Sequence, residues 1–444
     1  MSNNASKTSG GRATLPNSYT VESFTVTLND GTMINAKDLL VSFVIHESLF
    51  SPTINAEFRI LDGFGMLVDG HIIGGEEVEL KVIRIDNSKD TYANSSNKIH
   101  LKLNIANIFD HTTPKVGLQS YTLTCLSKHA FINISKTLNR SFTGVIHDLI
   151  DKICSNDLKT KINSTGNSSD EIVGIYPDLK PLDAIQWLLR NISDETTPYF
   201  FYDTIQDGLQ LNSYKQLINE DSYRKYNNSP FFQTTVGTKE YFEESTRKIT
   251  SLNSDLNMSI YKSIDSGVYA SRTDSLDIST KSYKRSDYSY KNNEKINSSG
   301  KPFSDKIEFD NRILSENYDS KQFCITKNSL SFNTKNNYHN VIEESIGDKN
   351  SKFNALSFIG LDMTTYGDLN MTVGKILDLN IMKSTDSNVQ DRNRKNGMVD
   401  KLLSGKYIIT ELAHVFNGTE YICDIGIQKD SLTYNIDSDI KIGK

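Results

Sequence analysis

Eight histidines (His46, His71, His100, His111, His129, His147, His339 and His414) and four cysteines (Cys125, Cys154, Cys324 and Cys423) are the residues of this 444-residue chain best suited to metal ligation or nucleophilic chemistry. Such chemistry needs them gathered at set spacings. Here they are scattered, and the histidines read as surface or strand residues. His147 and Cys154 could pair as base and nucleophile. They stand seven apart on one expected helix, with the cysteine near its end, so a packed thiol is the simpler reading. No GxSxG elbow occurs. The stretch HIIGGEE at 71–77 has a glycine pair but no phosphate-loop lysine and no following helix, and reads as a tight turn before a strand. Glu76 and Glu77 are adjacent, as are Glu343 and Glu344. Neighbours in a strand face opposite ways, so Glu76 and Glu77 do not form a glycosidase pair. The basic island DRNRK, 391–395, lies in a polar loop as a solvated face or a phosphate or partner contact. Trp187 reads as a core anchor. No residue is assigned a catalytic, cofactor-binding or metal-binding role, no cofactor is expected, and the chain is not read as an enzyme.

Composition points the same way. The net charge is −6 and no long Lys/Arg run is visible, so no global basic field calls for nucleic acid. The cysteines form no CxxC pair and read as reduced, mostly buried thiols on an intracellular assembly route. MSNNASKTSGGRATLPNSY opens the chain as a polar arm rather than a signal peptide. No apolar run reaches 18 residues, so no membrane span is expected.

The elements that would position any site are mainly strands. Leu40 to Ile45, Ile54 to Ile60, Val78 to Ile83, Leu101 to Ile105 and Tyr121 to Cys125 show the alternation of sheets with one buried face. They predict a small antiparallel barrel or sandwich. After Ser127 the pattern changes. FTGVIHDLIDKIC, 142–154, predicts an amphipathic helix. KPLDAIQWLLRNI predicts another, with Pro181 in its first turn and Leu182, Ile185, Leu188, Leu189 and Ile192 buried. It leads into PYFFYDTIQDGLQLNSY, where Asp207-Gly208 between two apolar runs predicts a hairpin. Residues 216–354 are polar and dotted with tyrosine, as in KSYKRSDYSYKNNEKINSSGKPFSDK. Clear strands return from Ala355 to Leu432.

The returning strands repeat the first set. GEEVELKV at 75–82 matches GKILDLNI at 374–381. AEFRILD at 56–62 matches ALSFIGLD at 355–362, with 19 residues from Ala56 to Gly75 and from Ala355 to Gly374. LKLNIANIF at 101–109 aligns with IITELAHVF at 408–416, and YTLTCLS at 121–127 with YICDIGI at 421–427. Four matches in order indicate a duplication, and two like barrels in one chain can occupy equivalent places in a ring.

The helix KPLDAIQWLLRNIS followed by PYFFYDTIQDGLQLNSY resembles the corresponding helix and hairpin of phage tail hub proteins. That group includes the central baseplate hub of T4-like myophages, tail proteins of P2-like phages and the hub part of type VI secretion spike proteins. LSGKYIITELAHVFNGTEYICDIGIQKDSL (403–432), GDLNMTVGKILDLNI (367–381) and IHESLFSPTINAEFRILDGFGMLVDGHIIGGEEVEL (45–80) are similar to its closing hairpin, the preceding strand pair and the opening barrel, together about half the chain.

The resemblance implies a mainly β fold with an α+β insertion: two similar antiparallel β-barrel domains in one chain plus an α+β module. The expected divisions are a flexible arm at 1–19, a first tube-type barrel at 20–127 and the α+β module at 128–215. A polar, partly irregular segment at 216–354 contributes to the second barrel and to an insertion. The main part of the second barrel is at 355–432 and a tail at 433–444. It further implies a homotrimeric baseplate hub in the virion tail, assembled in the host cytoplasm. The ring would adapt a six-fold tail tube to a three-fold central spike and form part of the DNA conduit. Expected partners are the central spike protein, the tail tube protein, other baseplate proteins and a tape-measure protein. DNA would pass without specific binding. The chain carries no β-helical needle or lysozyme-like segment, so the spike is expected as a separate protein. A cell-wall or glycan hydrolase built on the barrels, and the hub of a phage-like contractile injection system, stand as alternatives.

Overall fold

A computed structural model describes residues 17–84, 98–164, 171–192, 197–228, 246–254, 260–290, 318–327, 339–382, 400 and 402–430. The first module contains β1 (Tyr19–Thr27), β2 (Met33–Asn35), β3 (Leu40–Ser48), β4 (Asn55–Asp62), a short helix α1 (Met66–Asp69), β5 (Glu77–Arg84), β6 (Lys98–Lys115) and β7 (Leu118–Leu126). Its strands pair in the order β3-β4-β7-β6-β5-β1-β2, antiparallel throughout. Alternate side chains point inward, and the sheet rolls until Phe24 of β1 meets Phe58 of β4 with ring centroids 5.0 Å apart.

The α+β module follows: α2 (Lys128–Ser135), β8 (Ser141–Val145), α3 (Ile146–Lys152), β9 (Ile162–Ser164), β10 (Glu171–Ile175), α4 (Pro181–Arg190), β11 (Tyr199–Thr204), β12 (Gly208–Ser213) and α5 (Tyr214–Ile218). The predicted helix over 142–154 starts later than its apolar stripe suggested. Ser141–Val145 pairs instead with β10, and Gly144 holds φ +144°, outside the helical region. The helix and hairpin of the tail-hub resemblance form as predicted. Leu182, Ile185, Leu188 and Ile192 are buried in a separate core, with Trp187 and Leu189 at its edge. Tyr199–Thr204 pairs with Gly208–Ser213 across Asp207-Gly208.

The second module is made of β13 (Ser222–Asn228), β14 (Ile249–Asn253), β18 (Ile359–Tyr366), β19 (Ile376–Ile381), β20 (Gly405–Asn417) and β21 (Glu420–Lys429). Between β14 and β18 lies an insertion of α6 (Ile260–Asp265), β15 (Ala270–Asp277), β16 (Ser282–Ser289), β17 (Gln322–Lys327) and α7 (His339–Leu356). The insertion has a polar interior. Ser271, Thr273, Ser275 and Asp277 are buried on the side of β15 covered by α7, where Ser275 Oγ donates to the buried Glu343 at 2.5 Å.

The two modules are copies in topology. The second pairs its strands β14-β18-β21-β20-β19, as the first pairs β3-β4-β7-β6-β5. Two of their irregularities coincide. A bulge at Val41 in β3 recurs at Thr250 in β14, and one at Ala106 in β6 recurs at Thr410 in β20. Gly75 N–H donates to Ile105 O at 2.7 Å while Ile105 N–H donates to Glu76 O at 2.9 Å. Gly374, Ile409 and Lys375 repeat this exchange at 2.9 and 3.0 Å. The pairings equate Ala56 with Leu361 and Ile105 with Ile409, not with Ala355 and Leu412 as the sequence matching had it. The shared 19-residue interval is therefore a coincidence: from Leu361 to Gly374 the true interval is 13, and the first module's connection is longer by the turn that holds α1. The copies also differ at one flank, where β1 lies antiparallel to β5 but β13 lies parallel to β19.

Gly75 and Gly374 make the same turn, at φ +92° and +85°, in different surroundings. An added Cβ meets nothing within 4 Å at Gly75, but at Gly374 it lies 2.8 Å from the Tyr202 hydroxyl. Gly75→Ala is expected to cost backbone strain alone, roughly 1–2 kcal/mol. Gly374→Ala adds overpacking of about 1–3 kcal/mol. Thermal unfolding followed by circular dichroism should place Gly374→Ala below Gly75→Ala.

Candidate assembly interface

The first half of β20, Gly405–Ile408, pairs with β19. The bulge at Thr410 then redirects the strand, and Glu411–Asn417 pairs antiparallel with Ser48–Ser42 of β3. Leu49 N–H donates to Thr410 O at 2.8 Å at the crossing point. The two barrels thus share one sheet. A single row of cross-strand neighbours runs Tyr366, Ile422, Val415, Val44, Glu57, Thr124 and Asn107 over seven strands of both modules. Beneath it an aromatic stack crosses the joint: Phe416 lies 4.3 Å from Phe43 and 4.1 Å from Tyr421, centroid to centroid. Each such buried ring contributes about 1.5–3 kcal/mol by burial.

The aromatic hairpin braces this joint, and every residue from Phe200 to Thr204 is buried. Phe200 and Tyr202 enter the core of the barrels, whereas Phe201, Leu209 and Leu211 enter the core of α4. A strand packed on both faces has no polar phase. Polar groups fix the hairpin's position. Asp203 Oδ2 accepts from Ser127 Oγ at 2.7 Å, and Asp203 N–H donates to Ser51 O at 3.3 Å, tying it to the first module. Gln206 Nε2 donates to Leu369 O at 2.6 Å in the second. Glu47 of β3 closes the arrangement: it accepts from Ile205 N–H at 2.7 Å and from Val373 N–H at 3.1 Å, so one carboxyl links first module, hairpin and second module. Glu47 and Asp203 escaped the sequence reading. Their signal was an acid in the inward phase of a strand, after Phe43 and Ile45, and an acid closing the run YFFYD.

The opposite face of the joined sheet is open. Between β18 and β4 it presents Asp362, Asp424, Glu411 and Glu57 against His46 and Arg59. A shallow cleft of about 520 Å³ crosses the joint there. Glu411 Oε2 and Asp362 Oδ1 each lie within 3.8 Å of the point a Cβ on Gly426 would occupy, and Thr364 Oγ1 donates to Asp424 at 2.6 Å. These carboxylates are exposed, not set in an apolar pocket of the kind that keeps a general acid protonated.

Most residues weighed for chemistry disperse, but His414 and Cys423 come together, buried in the second module with Cys423 Sγ 3.6 Å from His414 Nδ1 and the Tyr421 hydroxyl 2.8 Å from the same nitrogen. His147 and Cys154 are both buried in the α+β module, and burial pushes the Cys154 thiol up to about 12. Glu76 accepts from Ile73 N–H, Gly74 N–H and Asn29, bracing the loop before β5, while Glu77 faces outward to Lys102 at 3.2 Å. Cys125 and His129 stand four apart, a spacing the sequence reading passed over. Cys125 lies in the barrel core, and His129 Nε2 sits 2.6 Å from Pro52 O. Trp187 lies half-buried beside Phe142 and Tyr176. Residues 391–395 lie outside the described residues. Among the described residues no group of three or more His, Cys, Asp or Glu is placed to hold a metal ion, and no helix is long and apolar enough to cross a membrane.

No family model and no curated protein matches the sequence. Solved structures do match. The tail protein from Neisseria meningitidis MC58 superimposes with a TM-score of 0.52 at 10% identity, over 93% of this chain and 97% of its own. The 43 kDa tail protein of prophage MuSo2 from Shewanella oneidensis gives 0.52 at 8% identity, over 92% and 99%. A type VI secretion component from E. coli aligns at 0.43 and 8%, over 93% and 77%, too distant to argue from. The class is thereby set: the chain has the fold of phage tail proteins. It is the mainly β, two-barrel architecture with α+β elements that the resemblance to tail hubs implied.

Burial raises the Glu47 carboxyl to about 8, outweighing the two N–H donors that favour its ionised form. The fold therefore holds a proton there that the unfolded chain loses near 4.5, and this contribution to stability fades as pH rises towards 8. His414, lowered to about 4 by burial, adds stability as pH rises from about 4 to 6.5. Lys429, lowered to about 8, does so above pH 8. The window from 6.5 to 8 is thus where Glu47 is read most cleanly. Asp203, also raised by burial, acts in the same sense. Melting temperature is expected to fall across that window in the wild type, and less in Glu47→Gln, which should also lose about 1–3 kcal/mol throughout from an unpaired backbone N–H. Equal pH slopes in the two proteins would contradict the assignment.

Proposed function

We propose that this chain is the structural hub of a contractile phage tail baseplate, with no enzymatic role. Three copies close a ring whose six modules stand in near six-fold array, matching a six-fold tail tube on one side and a three-fold central spike on the other. DNA passes through the bore. The observation that carries this reading is the presence of two modules of one topology, joined so that their sheets are continuous. A surface present in both modules recurs six times in a trimer, and a surface present once per chain recurs three times.

Surfaces of the second kind are identifiable. The longer connection of the first module exposes Phe64, Val68 and Ile73, at 82%, 62% and 83%. Its counterpart in the second module, 367–375, is mostly buried, with the hairpin tip on Leu369. An exposed apolar patch suits a protein partner, and one per chain suits the three-fold spike. The open face of the joined sheet would line the bore. Its excess of carboxylates fits a conduit that passes DNA without holding it, since lysines and arginines would bind phosphate. Placement in the virion tail, with tube, spike, tape-measure and other baseplate proteins as neighbours, follows from the same reading.

A hydrolase on this scaffold would use Asp362 and Glu411, the two carboxylates that approach each other in the open cleft. Light scattering on the purified chain should give a trimer, with a persistent monomer counting against the hub. The double substitution Phe64→Asp, Ile73→Asp is expected to weaken spike binding at least about tenfold, a loss of about 1.4 kcal/mol, and to leave trimer and tube binding intact. Cell-wall lysis by the chain that disappears in Asp362→Asn or Glu411→Gln would replace the hub with the hydrolase.

A further inference from the structure

The insertion grades from an apolar base to a polar seam. At the base Val268, Tyr269 and Ala270 are buried, and Tyr269 meets Tyr290 with ring centroids 6.4 Å apart. The end of α7 that lies there is apolar too. Phe353 stands 6.1 Å from Phe200 of the hairpin and 5.9 Å from Phe50 of the first module, centroid to centroid, and Leu356 enters the core of the barrels. Lys349 Nζ donates to Ile192 O, which ties the helix to the α+β module.

Outward from the base the contact between helix and sheet turns polar. Ser351 Oγ donates to Val268 O at 2.6 Å, and Glu343 accepts from Ser275 Oγ and faces Lys284 of β16 at 3.2 Å. Between them the helix lies close on the sheet: a Cβ added at Gly347 would stand 2.6 Å from Tyr288 Cβ and 3.1 Å from Ser271 Oγ. Ser271 Oγ and Asp348 Oδ1 are buried there with no hydrogen-bond partner among the described residues. Parting an apolar seam exposes apolar surface to water. Parting this one returns hydroxyls and carboxylates to water and relieves groups whose desolvation nothing offsets.

We propose that the insertion is a hinged clamp: the sheet β15–β17 and residues 343–351 of α7 part along their polar seam, turning about the apolar base, while both barrels stay closed. The seam opens at a lower free energy than the barrels, whose inward faces are apolar, and segments of low local stability are the ones that move. The bonds of β15 to β16 and β17 lie within the sheet, so the parting leaves them whole. α7 runs through Ser357 and Phe358 into β18, so the opened clamp stays joined to the wall of the second barrel. The opening needs no second copy of the chain, and it stands whether or not three copies close a ring.

Thiol trapping with iodoacetamide, read by mass spectrometry on the full chain, tests this. Thr273→Cys puts a thiol in the seam, in a Cys324→Ser background to remove the exposed one. The buried Cys125 and Cys423 report opening of the two barrels in the same molecule. Position 273 is expected to react at least about 100-fold faster than either. Amide exchange over Ala270–Asp277 should lag the thiol reaction at least about tenfold, because the strand bonds survive. Gly347→Ala wedges the seam and should speed labelling at position 273 about tenfold, leaving Cys125 unchanged. Ser345→Cys reads the same seam from the helix side should Thr273→Cys misfold. Labelling of the seam no faster than Cys125, or a Gly347→Ala effect shared equally by Cys125, overturns the clamp, since the insertion then opens only with the whole protein. Amide exchange of β15 as fast as the labelling also overturns it, since the insertion then melts rather than parts.

Discussion

The architecture depends on one strand changing partners. β20 gives its first half to β19 and its second half to β3, and the bulge at Thr410 makes the change possible. Without the extra residue the backbone groups of Glu411–Asn417 would continue along the second barrel's own roll and miss the first barrel. The same bulge at Ala106 in β6 is then informative. It occurs where no second partner strand is present among the described residues, so it reports the geometry of the module and not a local accident of the joint.

Strand pairing alone would leave the two barrels hinged along a line. The hairpin removes that freedom by wedging Phe200 and Tyr202 into the shared core while its other face carries α4. The buried acids Glu47 and Asp203 add little net stability for their desolvation. What they add is position, because each accepts from groups on separate segments that must all be in place at once. The insertion of β15–β17 and α7 is built otherwise, with a polar seam between helix and sheet that contributes little hydrophobic stabilisation.

Much of this was legible in the sequence wherever burial was one-sided. The strands of the first barrel, the later strands of the second, the α4 stripe and the Asp207-Gly208 turn follow from alternation, period and turn chemistry, whereas β13 and β14 lie in the polar stretch 216–354 and do not stand out there. The duplication was also visible, but its alignment was not. Apolar alternation repeats every two residues, so a match six residues out of place keeps its phase, and Ala355 falls against Ala56 in the position that belongs to Leu361. The insertion was opaque because β15 inverts the usual rule, burying Ser271, Thr273 and Ser275 while exposing Leu276. The joint itself could not be read at all, since no local pattern records which edges meet. Only Glu47, charged in an inward phase, hinted that something other than a simple core lay behind β3.

The central claim is that the two modules of one chain occupy equivalent stations around a common axis. Electron cryomicroscopy of the purified oligomer, reconstructed with three-fold symmetry only, tests it most directly. The account requires six barrels at one radius, with a sheet unbroken around the bore. Three barrels on the circle, with the other three displaced to a different radius or height, would contradict it.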